Sequence, residues 1–253
     1  MKFDLVVIAT LRPELLKVTL ESFTKNLFGE ELNDANLIIN IDIIGCNKVD
    51  EGKKFIEVQS IIEQYDFREI LVHANEEPDF AKAWFWAMNH TTNDLIFYLE
   101  EDWQLLQKIN FQNMTKLFQD DPKLAHMRLS QFPARETTSK NWNKFMVWNG
   151  KYFEPKIEDK GAIGFCNHPA FNRRSFINRC LNVMDWELNP EKQIKSRRYL
   201  HPMNGIIMDH NFGAYIRPMQ PPQIEDIGRL WMKNHGWVKK GNKAYFTTWE
   251  RDI

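Results

Sequence analysis

The run 95–103 reads LIFYLEEDW, so Glu100, Glu101 and Asp102 stand side by side where an apolar stretch ends. Neighbouring carboxylates repel one another, and a divalent cation relieves that repulsion while also binding diphosphate oxygens. The chemistry on offer is neutralisation of charge growing on a departing diphosphate. Taken alone, the segment reads equally well as acids complementing a helix start. Asp42, at the end of another apolar run, is a second candidate; its alternative is a turn former at a strand end.

Such residues act together only if the fold gathers them. Phe3 to Ala9 is a short apolar run, as a buried parallel strand should be, and Pro13 suits the first position of a helix. Leu16, Leu20, Phe23 and Leu27 recur at helical spacing. A second strand spans Leu37 to Ile44 and is closed by Gly45; a helix through Phe55, Val58 and Ile62 follows, then a third strand, Glu69 to His73. Phe80, Ala83, Trp84, Ala87 and Met88 mark another helix, and Asp94 to Leu99 a fourth strand. This alternation predicts a parallel sheet with right-handed crossovers, whose ligands bind beyond the carboxyl ends of the strands. Ala9–Arg12, Asp42–Gly45, His73–Glu77 and Glu100–Trp103 should then share one edge.

The second half is less regular. Asn110 is placed to cap a helix bearing Phe111, Met114, Leu117 and Phe118, which Asp121 and Pro122 end. Ala125, Met127 and Leu129 alternate with His126, Arg128 and Ser130, predicting a half-buried strand. Residues 133–160 have the profile of a long functional loop. A strand is expected over Ala162–Cys166, a helix over Asn172–Met184, a hairpin around His210 and Asn211, and a strand over Ala244–Trp249.

Composition bounds the function without choosing it. A chain of 253 residues, 43% hydrophobic and 26% charged, buries a substantial core without needing disulfides or a structural metal. A net charge of −1 gives no global attraction to nucleic acid or anionic membrane. Arg173, Arg174, Arg179, Lys192, Lys195, Arg197 and Arg198 form a local basic stretch that reads either as a solvated helix face or as a site for a polyanionic acceptor. Cys46, Cys166 and Cys180 share no ligand spacing and read as small buried hydrophobes in apolar surroundings. No run of about 18 apolar residues offers a bilayer-spanning helix, and MKFDLVVIAT is a strand's length without a cleavage site, so a cytoplasmic protein is expected.

In order and spacing, the first 130 residues resemble the GT-A glycosyltransferases, especially family-2-like and N-acetylglucosaminyltransferase-I-like enzymes. The resemblance rests on Ala9-Thr10-Leu11-Arg12-Pro13, Asp42, the loop and aromatic helix from Asn75 to Trp86, Glu100-Glu101-Asp102 in place of a D-x-D or E-D-D signature, and Asp121-Pro122-Lys123-Leu124. It implies an α/β, Rossmann-like, mostly parallel central sheet flanked by helices, with a more irregular acceptor-side C-terminal half. Residues 1–253 then form one domain, 1–130 its nucleotide-sugar-binding half and 131–253 its acceptor-binding half. It further implies that Asp102 binds Mn²⁺ or Mg²⁺ directly and that Glu101 lies near the ribose or supports the metal shell. Asp42 would meet the nucleobase of a UDP- or GDP-linked sugar, and Thr10 and Arg12 would line the nucleotide pocket. Taken by itself, Arg12 also reads as a solvated surface charge, and Lys82 reads either as a diphosphate contact from the helix start or, more commonly, as an exposed helical lysine. Glutamates at 100 and 101 depart from the commoner aspartates and blur the division of labour.

Residues 161–165 and 172–174 resemble the acceptor-side strand and helix of that family, which implies a hydroxyl acceptor: a glycan, a small molecule or modified nucleic acid. Glu191, at a helix start, is the implied catalytic base for an inverting transfer, with Asp185, Glu187 and Asp209 as rivals. Residues 224–229, Ile-Glu-Asp-Ile-Gly-Arg, resemble the segment that closes over the diphosphate; Asp226 stands where histidine is usual and becomes a metal candidate, and Arg229 a diphosphate contact. His168, His201, His210 and His235 lack mutual ligand spacing. Nine tryptophans include Trp142, Trp148, Trp186 and Trp237 in aperiodic segments, where each serves either core packing or stacking on sugars and bases. No G-x-G-x-x-G, P-loop or G-x-G-T-R-like loop occurs. The competing readings are a nucleotidyltransferase on the same sheet and a catalytically silent carbohydrate-binding relative.

Overall fold

The computed structural model describes residues 1–75, 77–131, 142–195, 201–240 and 248–251. Strand β1 (Phe3–Thr10) is buried along its whole length, because it has strands on both sides and helices over both faces. Alternate residues feed two cores: Phe3, Leu5, Val7 and Ala9 join one, Val6 and Ile8 the other. Pro13 opens helix α1 (Pro13–Phe23) as expected, burying Leu16, Leu20 and Phe23 against the first core. There follow β2 (Ala35–Asp42), α2 (Glu51–Ile62), β3 (Glu69–His73), α3 (Phe80–Asn89) and β4 (Leu95–Glu100). All four strands are parallel in the order β3-β2-β1-β4, so their carboxyl ends emerge on one edge.

The chain continues through β5 (Trp103–Leu105), α4 (Phe111–Asp120), β6 (Leu124–Arg128), β7 (Met146–Trp148), β8 (Phe153–Pro155), α5 (Lys160–Ile163), β9 (Ala170–Arg173) and α6 (Arg174–Leu181). After these come α7 (Pro190–Ile194), α8 (His201–Met208), β10 (Asn211–Ala214), β11 (Ile224–Asp226), α9 (Gly228–Asn234), β12 (Trp237–Lys240) and β13 (Thr248–Arg251). Among the described residues the main sheet has nine strands, ordered β3-β2-β1-β4-β9-β6-β10-β8-β7. Only β8 and β9 run against the others. The expected mostly parallel sheet flanked by helices is what forms.

Several local expectations for the second half are corrected. Ala162–Cys166 is not a strand: α5 covers its start and an irregular segment its end. The strand is β9, which begins after Pro169, where the chain can pair with β4 and β6 at once. Pairing on both sides also draws Asn172 and Arg173 out of the expected helix, so α6 starts at Arg174. His210 and Asn211 form no hairpin, because α8 leads into β10, which lies parallel to β6. The alternation in β6 predicted one wet face, yet His126 is fully buried between β9 and β10. Asn110 caps α4 as expected, accepting from the Asn113 N–H at 2.7 Å. Of the 133–160 loop, residues 142–160 carry β7, β8 and short helical turns, and the remainder lies outside the described residues, as does most of the Ala244–Trp249 strand.

Candidate active site

The β1–β2 register sets Thr10 opposite Asp42, and the β1–β4 register sets Ile8 opposite Glu100. Backbone pairing continues past β4, since the Glu101 N–H donates to Ile8 O at 3.1 Å. Glu101 is thereby turned inward. Its Oε1 accepts from Thr10 Oγ1 at 2.8 Å and from Arg12 Nε at 2.9 Å, and it is ion-paired with Arg12 Nη2. Thr19 Oγ1 donates to the Glu101 carbonyl. Arg12 is only 1% exposed. Burial works against its charge, but Glu101 and then Asp102 outweigh that and hold its pKa above the ordinary value. Gly45, at φ +107°, lies against the aliphatic stem of Arg12; a side chain there would meet Arg12 Cγ at 2.9 Å.

Asp102 stands at the rim of this cluster. Its Oδ2 accepts from Arg12 Nη2 at 3.2 Å, and its carbonyl accepts from the Ile227 N–H at 2.9 Å. The second contact continues the antiparallel pairing of β5 with β11, which seats Asp226 opposite Trp103. The distant 224–228 segment is thus laid beside the acids of β4. Gly228 permits the approach, because a Cβ on it would fall 2.1 Å from Asp102 Oδ2. Asp226 pairs with Arg229 Nε at 2.7 Å, while the rest of Arg229 is exposed. Farther along α9, the Trp231 indole lies 5.2 Å from the Arg12 guanidinium and donates to Glu14 Oε1 at 2.6 Å.

On the β2 side, Asp42 Oδ1 accepts from Asn75 at 2.8 Å and from Asn40 at 3.0 Å. Asn40 Oδ1 in turn meets His73 Nδ1 at 2.7 Å. Burial pushes the Asp42 pKa up to about 6, against the opposing pull of the Asn75 and Asn40 hydrogen bonds. Asp79 caps α3 through the Ala81 and Lys82 N–H groups, and Lys82 itself is exposed, 3.8 Å from Asp79.

Across the edge, Glu191 sits at the start of α7 and Asn189 caps that helix. Glu191 Oε1 accepts from Lys195 Nζ at 2.7 Å and from the Asn167 N–H at 3.4 Å. The Tyr98 hydroxyl donates to Glu100 Oε1 at 2.9 Å. Burial first, then the charge of the Glu100 carboxylate that the hydroxyl bonds, raise the Tyr98 pKa, with smaller contributions from Glu191 and Asp102. Of the rival bases, Asp209 pairs with Arg179 at 2.8 Å just before β10, on the opposite edge of the sheet. Asp185 and Glu187 lie exposed in the turn before α7.

Other expectations resolve differently. Cys166 is not in an apolar setting: Arg128 Nη1 lies 3.4 Å and His126 Nε2 3.9 Å from its sulfur. Burial opposes its ionisation, but His168, Arg128 and His126 together lower its pKa well below the ordinary value. Cys180 is the buried hydrophobe foreseen, its pKa raised by burial. His210 and His235 are satisfied by backbone carbonyls, and His168 rests against Trp103. Within the basic stretch, Arg173 and Arg174 donate to backbone carbonyls, while Arg179 and Lys195 pair with acids; Arg197, Arg198 and the side chain of His201 lie outside the described residues. Sequence reasoning missed Asn40, Asn75, Tyr98, Thr19 and Gly228. Asn40 and Tyr98 were within reach, since each lies two positions before an edge acid and so on the same side of its strand.

No protein family matches the sequence, and no curated protein matches it. Solved structures share its fold. A mannosyltransferase from Pyrobaculum calidifontis, in complex with GDP-Man and Mn²⁺, superposes with a TM-score of 0.57 at 14% identity, covering 86% of this chain and 55% of the other. S. aureus TarS in complex with UDP gives 0.53 at 12% identity, covering 88% and 59%. TarS in complex with UDP-GlcNAc gives 0.50 at 12% identity, covering 88% and 57%. The chain therefore spans little more than half the length of these structures. At such identities the likeness shows the architecture alone: a GT-A-like α/β fold.

Proposed function

We propose that this chain is a metal-dependent glycosyltransferase, moving a sugar with inversion from a UDP- or GDP-linked donor to a hydroxyl acceptor. The observation that supports it most is the pairing of β5 with β11, which brings Asp226 and Arg229 to Asp102 on the edge that also carries Thr10 and Asp42. Among the described residues no three His, Cys, Asp or Glu side chains gather closely enough to hold a metal unaided. Magnesium-type ions in nucleotide sites take one or two carboxylates and complete their shell with phosphates and water. Asp102 and Asp226 suit that requirement and would hold Mn²⁺ or Mg²⁺; Glu101, engaged by Arg12 and Thr10, is assigned to positioning Arg12. The ion would neutralise charge on the leaving diphosphate.

In this reading Asp42 accepts from a nucleobase N–H, Thr10 and Arg12 form the floor of the pocket, and Arg229 and Lys82 offer cations to the diphosphate. Glu191 takes the proton of the acceptor hydroxyl. The acceptor oxygen bonds to the anomeric carbon as the bond to diphosphate breaks, and that electron pair leaves with the nucleotide. The test is a melting-temperature panel of UDP, GDP and their sugars with and without Mn²⁺. A nucleotide at a hundred times its Kd adds about 2.7 kcal/mol, or roughly 5–10 °C for a chain of this size. That rise should require the metal; equal shifts without it would refute the acid-edge reading.

The base-recognition role has its own signature. An ionised carboxylate accepts a nucleobase N–H about twice as strongly as the carbonyl of the protonated acid, and Asp42 ionises at about 6. Affinity for UDP-GlcNAc or GDP-Man, titrated at constant Mn²⁺, should fall as pH drops through 6 and level off above about 7. Asp42→Asn should bind weakly and without that inflection. In the free protein the sign is opposite. A raised carboxyl favours the protonated fold, so Asp42's share of stability is complete below its ordinary value and is lost as pH rises through 6. An affinity that is flat from pH 5 to 8 in the parent protein would remove Asp42 from the base pocket.

A further inference from the structure

The transfer chemistry above leaves one conspicuous side chain unused. Trp186 lies in the turn before α7, the helix that bears Glu191, and is 52% exposed, an unfavourable placement for a large apolar ring. It is held firmly all the same. The Asp185 N–H donates to Gln193 Oε1 at 2.8 Å, and Gln193 Nε2 donates back to the Asp185 carbonyl at 2.8 Å and to the Leu188 carbonyl at 3.0 Å. The Glu187 N–H closes the turn onto Asp185 Oδ1 at 2.9 Å. Gln193 and Glu191 both belong to α7, so the helix that bears the candidate base also anchors the Trp186 turn.

One face of the indole is fixed as well. It stacks on Phe85 of α3 with centroids 5.3 Å apart and planes within 5° of parallel, and Phe85 is itself buried. A parallel stack occupies one face of a ring and leaves the other outward. Aromatic rings present flat, weakly polar surfaces, on which the C–H face of a pyranose can lie while its hydroxyls stay solvated. Collapse of an exposed indole onto the protein surface is opposed here by four hydrogen bonds and a ring stack, so the open face is ready before any ligand arrives.

We propose that Trp186 is the platform for the acceptor, and that the acceptor hydroxyl therefore belongs to a pyranose ring. The inference rests on the glycosyltransferase reading and on Glu191 as its base. It narrows the acceptor from any hydroxyl compound to a sugar, seated on Trp186 with a hydroxyl turned toward Glu191. The basic stretch supports a polyanionic acceptor less well, since its described arginines are engaged by carbonyls and by Asp209.

The test compares the parent protein with Trp186→Leu and Trp186→Ala. Leucine keeps Phe85 covered but removes the flat face; alanine removes both. The probes are the methyl β-pyranosides of glucose, galactose, mannose and N-acetylglucosamine, supplied with Mn²⁺ and whichever nucleotide sugar stabilises the protein most. Trp186→Leu should raise the KM for the best glycoside roughly tenfold. Saturating kcat, release of nucleotide into water and the metal-dependent melting shift should stay within about twofold of the parent. Saturation-transfer NMR should show glycoside contact with the parent and not with the leucine variant. Unchanged glycoside KM in Trp186→Leu would overturn the platform, as would a parent protein that neither binds nor glycosylates any of the four. Loss of self-association in the variant, seen by sedimentation with glycoside use unaltered, would reassign the indole to a contact between copies. Failure of the underlying reading looks different: the nucleotides then give no metal-dependent shift in the parent itself.

Discussion

Asp102→Asn is expected to lower turnover by about a thousandfold or more while leaving the fold in place. Under the proposed chemistry Asp102 supplies the carboxylate nearest the leaving diphosphate, and loss of that charge weakens the grip on the metal. Charge stabilisation of this kind contributes several kcal/mol to the transition state, and about 4 kcal/mol corresponds to a thousandfold in rate. The structural cost should be small. Asparagine has the same shape beside Gly228, the Asp102 carbonyl keeps its bond from the Ile227 N–H, and Arg12 retains Glu101. The hydrogen bond from Arg12 keeps an acceptor in the asparagine carbonyl and loses only its charge assistance. Steady-state kinetics beside a thermal melt separate the two effects. Parent-like kcat in Asp102→Asn would remove the residue from the machinery, and a large fall in melting temperature would mean that its role is to anchor β11.

How much of this could be seen in the sequence depended on how local the cause was. The first four strands and three helices were legible because each strand carries a short apolar run and each helix repeats its apolar face, although β3, at the sheet's edge, is largely exposed. Glu69–His73 was placed to the residue. Beyond Asp121 the chain obeys tertiary pairing more than local pattern. Asn172 and Arg173 sit at the front of a helical stripe, yet the gap between β4 and β6 claims them for a strand. For the site, the edge acids were legible as a group, but their division was not. Which of three consecutive carboxylates turns inward depends on Arg12, 89 positions away, and on the register that carries Glu101 past Ile8. Arg12 itself read as a pocket-lining cation, because nothing in Leu11-Arg12-Pro13 announces that Gly45 and Trp231 cover it. Asp226 was legible only through the late I-E-D-I-G-R segment, and its seat beside Asp102 is set by a strand pair spanning half the chain.

The inward turn of Glu101 leads to the second large effect, on stability. Arg12 and Glu101 are a buried ion pair, with side-chain exposures of 2% and 4%, so water screens them little. Glu101→Ala leaves the buried guanidinium leaning on the 3.2 Å contact to Asp102, and Arg12→Ala strands the Glu101 carboxylate beside Thr10. Removing one partner of such a pair costs about 3–5 kcal/mol, because the remaining charge stays desolvated. For a chain of this size that is a fall in melting temperature of roughly 6–20 °C. The paired change Arg12→Met with Glu101→Leu should recover most of the loss, since two apolar side chains of similar volume remove the buried ion pair, and Thr10 Oγ1 and the partly exposed Asp102 Oδ2 then need new partners. Chemical denaturation of the two single variants and the double variant measures the coupling directly. A Glu101→Ala protein within about 1 kcal/mol of the parent would mean that the pair is wet and that Glu101 is available at the edge after all. A double variant that is stable, binds UDP-GlcNAc or GDP-Man normally and yet is slow in transfer would show the pair's purpose to be catalytic: Arg12 would then be held under Asp102 to fix the aim of that carboxylate, with Glu101 as the counter-charge that keeps the guanidinium there.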